Sequence, residues 1–171
     1  TVETPIWLQQ LKRAIRGNRR DAHNRYVQLA TRGLDGKPRV RMVVFRGFSL
    51  SDASFFIITD ARSDKVKELA QCPDVEVSWY FTQTREQFRL QCGTVTHSHG
   101  ADADLHRDAL WKGLSDAAKG QFFWPGLGLP SGEGQSLETT AHPPETFVVI
   151  ECRPQRVDHL VLAKIQRVAS A

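Results

Sequence analysis

Residues 39–48 read RVRMVVFRGF and residues 54–65 read SFFIITDARSDK. These two runs decide the fold. The first opens with basic residues alternating with apolar ones, the pattern of a half-buried strand. Arg39, Arg41 and Arg46 punctuate it, with Met42, Val43, Val44 and Phe45 between. The second is a strand from Phe55 to Thr59 that passes through Asp60 and Ala61 into a helix beginning at Ser63. Ser63 is suited to cap that helix, whose first N–H groups need acceptors. Lys65 falls in the first turn, where a cation is unfavourable beside the positive end of the helix dipole unless an anion lies between. Arg41, Arg62, Ser63 and Lys65 therefore have the chemistry to converge on one phosphate. A solvated basic edge on an antiparallel hairpin accounts for the same residues equally well, because anion sites at helix starts are common and unspecific.

Outward from these runs, turn signals separate short alternating segments. Thr4-Pro5 opens a helix as a capping hydroxyl followed by a first-turn proline, with Trp7, Leu8, Leu11, Ala14 and Ile15 at helical spacing. Val27 to Thr31 reads as a strand, and the Asp35-Gly36 turn leads into the strand Pro38 to Phe48. After the helix Ser63 to Gln71, with Val66, Leu69 and Ala70 inward, come strands Val75 to Phe81 and Glu86 to His97. Helical segments are expected at about Ala101 to Trp111 and Ser115 to Phe123, then a long Gly/Pro/Ser-rich loop, Trp124 to Pro144. Glu145 to Cys152 and Val157 to Leu162 are the last strands expected. Strands joined as hairpins, rather than alternating with helices, imply a mainly β, antiparallel barrel with peripheral helices.

The 171 residues suit a single domain, 1–171, with 40% hydrophobic and 25% charged residues, a globular composition. No apolar run approaches the length of a membrane helix, so no membrane partner is expected. The start of the chain lacks a signal-peptide pattern, and three dispersed cysteines form no CxxC pair. Reduced thiols in a cytoplasmic protein follow as the expectation. A net charge of +4 suits a phosphate-bearing small molecule or nucleic acid. The mixture of Trp79, Tyr80, Phe81, Arg85 and Arg89 resembles a base-stacking surface, but no recognised motif accompanies it, so no nucleic-acid partner is expected. Trp79 and Phe81 face one way and Tyr80 the other, which puts part of the trio in the core.

His97, His99, Asp102, Asp104 and His106 crowd together and are metal-ligand types. Their spacing fits no established signature, so a solvated strand end and helix start is preferred and no metal is expected. There is no nucleophile elbow, Walker loop or dinucleotide fingerprint. Trp111 and Trp124-Pro125 border the long loop, either as caps for a planar ligand or as anchors on the core.

Arg41-Met-Val-Val-Phe-Arg46, Phe56-Ile-Ile-Thr59, Arg62-Ser-Asp-Lys65 and Gln87-Phe-Arg89-Leu with Gly93 resemble, in order and spacing, the pyridoxamine 5′-phosphate oxidase-like FMN-binding proteins. The likeness is good over Arg39 to Gly93 and looser around Ser115 to Pro130 and Pro154 to Leu160. Trp79-Tyr80-Phe81, the run from Thr84 to Phe88 and Phe123-Trp124-Pro125 look most like the uncharacterised FMN-binding branch. The resemblance implies a split β-barrel, a homodimer with FMN at the subunit interface, and an oxidoreductase role on an unknown small-molecule substrate. It equally allows a non-catalytic module holding flavin, haem or a deazaflavin. It implies that Arg41 to Val44 (Arg41, Met42, Val43, Val44) line the flavin with Arg41 on the phosphate, and that Arg46 replaces the usual Lys. Ile58 and Thr59 would meet the flavin and ribityl region, and Ser63 and Lys65 the phosphate. Asp64 stands where the family has a phosphate-binding Arg, with Arg62 as its stand-in. Gln87 would hydrogen-bond the flavin ring, and Trp124 would reach the partner subunit's cofactor. Where the vitamin B6 oxidases grip the substrate phosphate with a Tyr and an Arg, this chain has Arg107 and Trp111. Where they carry a Trp followed by an Arg and a His, it has Val157-Asp158-His159-Leu160. The resemblance thus implies FMN binding without the B6 substrate grip.

Overall fold

The computed structural model describes residues 3–50, 53–100, 105–123, 142–162 and 166–170. A first helix, α1 (Ile6–Gly17), is followed by strands β1 (Tyr26–Arg32), β2 (Pro38–Val44) and β3 (Phe55–Asp60). Then come helix α2 (Asp64–Gln71), strands β4 (Asp74–Phe81) and β5 (Glu86–His97), and helices α3 (Leu105–Lys112) and α4 (Asp116–Gly120). A 3-10 turn (Gln121–Phe123) and strands β6 (Phe147–Val161) and β7 (Gln166–Ser170) complete them. All pairings are antiparallel, in the order β2-β1-β4-β5-β6-β3, with β7 added to β6.

The two ends of this path, β2 and β3, are consecutive in sequence and meet. Arg46 N donates to Phe56 O and Phe56 N to Gly47 O, both at 2.9 Å, and Phe48 bridges to Phe55. Gly47 has φ +128, a backbone conformation that strains any residue with a Cβ. This seam closes the curled sheet into a split barrel.

Alternation fills the barrel. Val27, Leu29, Val77, Trp79, Phe81, Phe88, Leu90, Ile150 and Cys152 point inward and are buried, while Tyr80 is exposed. Helix α1 adds Trp7, Leu8, Leu11 and Ala14 from one face to this core. The larger of these side chains each contribute about 1.5–3 kcal/mol when fully buried. The start of α1 differs from the expectation by one residue. Pro5 occupies the cap position and no side chain caps the helix. Its far end is fixed by buried Asn18, whose Nδ2 donates to Ala14 O and Thr84 Oγ1 and whose Oδ1 accepts from Gln83 N.

A second apolar cluster lies on the outer face of β3 and β6. Phe56, Phe147 and Val149 meet Trp111 from α3 and Phe122 from the 3-10 turn. The two final strands expected separately are one strand, β6. Pro154 lacks an N–H, but it sits at the register shift opposite Gln91 and Cys92, between the stretches of β6 that pair with β3 and with β7. Ala70 is exposed rather than inward; Glu68 and Leu69 are the buried residues of α2. The predicted loop from Trp124 falls, through residue 141, outside the described residues.

Candidate functional site

Helix α2 starts as its sequence requires. Ser63 is extended, and its Oγ accepts from Lys65 N at 3.4 Å. The Lys65 side chain folds back over this cap, so that Nζ donates to Thr59 Oγ1 at 2.8 Å and to Ser63 Oγ at 3.2 Å. Both partners are neutral. Burial pushes the Lys65 ammonium below its ordinary pKa, and the nearby charge of Arg41 pushes the same way.

Beside Lys65 lies a cavity of about 400 Å3. From β2 and the following link it is lined by Met42, Val43, Val44 and Arg46; from β3 and the turn beyond, by Ile58, Thr59, Asp60, Ser63 and Lys65. Ala118, Gln121 and Phe122 close it from the α4 side. Arg46 is partly buried, which lowers its pKa, and its Nε is buried without a hydrogen-bond partner among the described residues. A buried donor left unmade costs about 1–3 kcal/mol, more when charged. An anion at this place would satisfy it and would neutralise Lys65. Two hydroxyls, two cations and an apolar wall of Val43, Val44 and Ile58 are the donor set that a phosphate joined to a planar ring system requires, so FMN fits.

Eight of the twelve residues expected at the site line this cavity: Met42, Val43, Val44, Arg46, Ile58, Thr59, Ser63 and Lys65. Arg41 does not face the cavity. Its Nη2 lies 2.6 Å from Glu68 Oε1, its Nη1 donates to Thr31 Oγ1 at 2.5 Å, and Glu68 and Thr31 are both buried. Arg62 is turned away also, with Nε on Asp60 Oδ1 at 2.8 Å and Nη2 on Asp60 Oδ2 at 2.7 Å. Trp124 is outside the described residues.

Gln87 is remote. Thr59 pairs with Val148 near the start of β6, whereas Gln87 pairs with Leu160 near its end. Twelve residues of strand separate those partners, about 40 Å along β6. Gln87 lines a different depression, of about 360 Å3, with Arg89, Asp158 and Leu160.

Sequence reasoning missed Asp60, Ala118, Gln121 and Phe122 as lining residues. The Asp60 position next to Thr59 was a usable signal; the other three depend on how the α4 segment folds back. Arg107 and Trp111, expected where a substrate grip would stand, are structural. Arg107 is buried, with Nε on Phe147 O and Nη2 on Pro144 O, both at 3.0 Å, and Trp111 is in the outer cluster. Cys92 and Cys152 are buried, and burial pushes the Cys92 thiol up to about 12, so neither is a nucleophile. No helix among the described residues is long and apolar enough to cross a membrane.

Comparison with known proteins agrees with this chemistry. The profile of the pyridoxamine 5′-phosphate oxidase FMN-binding domain matches residues 4–98. The chain is 36% identical over 170 residues to pyridoxine/pyridoxamine 5′-phosphate oxidase 2 of Arabidopsis thaliana, covering 94% of this chain and 85% of that protein. Matches to bacterial pyridoxine/pyridoxamine 5′-phosphate oxidases span about half of this chain and about a third of theirs. Among solved structures, a pyridoxamine 5′-phosphate oxidase-related, FMN-binding protein from Nostoc punctiforme superposes with TM-score 0.89 at 33% identity, covering 99% of this chain and 97% of that one. A haem-binding protein from Mycobacterium smegmatis shares the fold alone, with TM-score 0.63 and 16% identity over 99% of this chain and 60% of its own. The shared split barrel and the matched profile lead to one conclusion: the chain belongs to the pyridoxamine 5′-phosphate oxidase FMN-binding family.

Proposed function

We propose that this protein is an FMN-dependent oxidoreductase that works as a homodimer in the cytoplasm on a small-molecule substrate. The observation that carries the site is the pairing of Lys65, hydrogen-bonded among the described residues to two neutral hydroxyls, with the buried Nε of Arg46, which has no hydrogen-bond partner among them, at one cavity. In this reading Lys65, Ser63, Thr59 and Arg46 hold the FMN phosphate and ribityl chain. Met42, Val43, Val44 and Ile58 pack on the ring system. Arg41 positions α2 through Glu68, and with it Lys65. The flavin supplies the electron transfer; the protein supplies orientation and charge.

Gln87 joins the site only from a second copy, because its own cavity is too distant along β6. Val40 and Met42 on edge strand β2 are 69% and 61% exposed, and they offer an apolar face for that copy. Trp124 is proposed to reach the same cofactor across the interface. The vitamin B6 substrate grip is not supported, since Arg107 is committed to backbone carbonyls and Trp111 to the core. A haem-binding role has less support: among the described lining residues only Met42 is an axial-ligand type, against two cations and two hydroxyls.

The test is an FMN titration followed by visible absorption and quenching of flavin fluorescence. Stoichiometric binding by the parent chain is expected, with loss in a Lys65→Ala, Arg46→Ala double variant. Unchanged affinity in that variant would overturn the assignment. Anaerobic mixing of the loaded protein with NADH or NADPH then tests turnover; a flavin that no nicotinamide or candidate substrate reduces points to the binding module instead.

A further inference from the structure

On the outer face of the barrel, β5, β6 and α3 bring three metal-ligand types together. They are His97 at the end of β5, Glu151 on β6 and His106 on α3. One ligand atom from each lies within 4.8 Å of the others. His97 Nε2 is 3.0 Å from Glu151 Oε1, and the rings of His97 and His106 have centroids 5.0 Å apart. We infer that His97, His106 and Glu151 form a binding site for one divalent transition-metal ion, of the class that zinc represents.

The geometry supports this in three ways. Two ligand atoms each about 2.1 Å from one ion are about 3.0 Å apart at a right angle and about 3.4 Å apart at the tetrahedral angle. The Glu151–His97 spacing, now that of a hydrogen bond, opens to the tetrahedral value with a shift of about 0.4 Å. His106 must move further, and it is exposed on its helix, with its ring against Phe56 at a centroid distance of 5.0 Å. Second, Glu151 is oriented as a metal-bound carboxylate usually is. Its Oε2 accepts from Arg153 Nε at 2.8 Å and Ser54 also hydrogen-bonds the carboxylate, so that Oε1 is the oxygen directed at the histidines. Third, the set is two imidazoles and one carboxylate, with His106 exposed. Such a set suits zinc or another borderline divalent ion.

An ion here would clamp α3 to the sheet. That helix carries Arg107 and Trp111, which secure the outer cluster behind the FMN cavity. The inference does not rest on flavin binding, and its test does not read flavin. Chelator-treated protein would be titrated with Zn2+ by calorimetry and with Co2+ by visible absorption. One ion per chain is expected, with a rise in thermal midpoint on saturation. His106→Ala, a change at an exposed position, should weaken binding at least about tenfold and abolish the midpoint rise, while His99→Ala should leave both intact. Circular dichroism of His106→Ala without metal verifies its fold. A chain that takes up no ion, or whose binding His106→Ala leaves unchanged, overturns the site.

Discussion

Thr59 and Gln87 are tied to opposite ends of one strand: Thr59 pairs with Val148 and Gln87 with Leu160, both on β6. A ligand held at Thr59 cannot be touched by the same chain's Gln87. This makes a complementation test decisive. Lys65→Ala and Gln87→Ala should each alter the flavin spectrum or affinity alone. Mixed and refolded together, they should regain parent-like behaviour in about a quarter of sites, since half of random dimers are mixed and each restores one site of two. Both residues acting within one chain would give no recovery.

Lys65→Met should weaken FMN binding by about 10–100-fold, the equivalent of losing one charge-assisted hydrogen bond of about 1.5–3 kcal/mol. Fluorescence titration measures it. Arg46→Met should act in the same direction.

Arg41→Ala should behave differently. It strips buried Glu68 of its cation, and breaking such a pair costs up to about 3–5 kcal/mol, less here because Arg41 is partly solvated. Chemical denaturation should show a large loss of stability, and Arg41→Met with Glu68→Met should recover much of it. An Arg41→Ala protein of parent stability that has lost only FMN affinity would return Arg41 to the phosphate.

The pH dependence follows from Lys65. Its pKa in the free protein is lowered by burial and by Arg41. A bound phosphate favours the ammonium and raises that pKa, so binding takes up a proton wherever free Lys65 is neutral. FMN affinity is therefore highest between the second ionisation of its phosphate, at about pH 6, and the lowered pKa of Lys65, and falls as pH rises through the latter. Lys65→Arg, which stays charged, should flatten the alkaline fall; the readout is the dissociation constant against pH.

Arg107→Met should lower the thermal midpoint, because the Phe147 carbonyl loses its Arg107 donor, at about 1–3 kcal/mol, while Pro144 O keeps the Phe147 N–H. FMN affinity should change far less than in Lys65→Met. A substrate-gripping Arg107 would instead raise KM and leave the midpoint unchanged.

The hairpins were legible because alternation and turn chemistry are local: Asp35 Oδ1 accepts from Lys37 N, and Gly36 takes φ +79. The cap at Ser63 and the cavity wall from Met42 to Lys65 were legible for the same reason. Three features were not. Pro154 looked like a break, and only the register of β5 shows that its missing donor falls where β6 lacks a second neighbour. Arg41 looked like a phosphate ligand, and only folding reveals Glu68 within reach. Gln87 follows the cavity residues closely in sequence, yet the curl of the sheet carries it to the far end.

The seam between β2 and β3 gives the cavity a mechanical meaning. Met42 to Arg46 stand on one lip and Ile58 to Lys65 on the other, so whatever fills the space between is sewn to both. Such a guest is a suture for the barrel wall. Losing it and beginning to unzip become one event, and amides at Arg46 and Phe56 should trade their protons for deuterium fastest in the emptied protein.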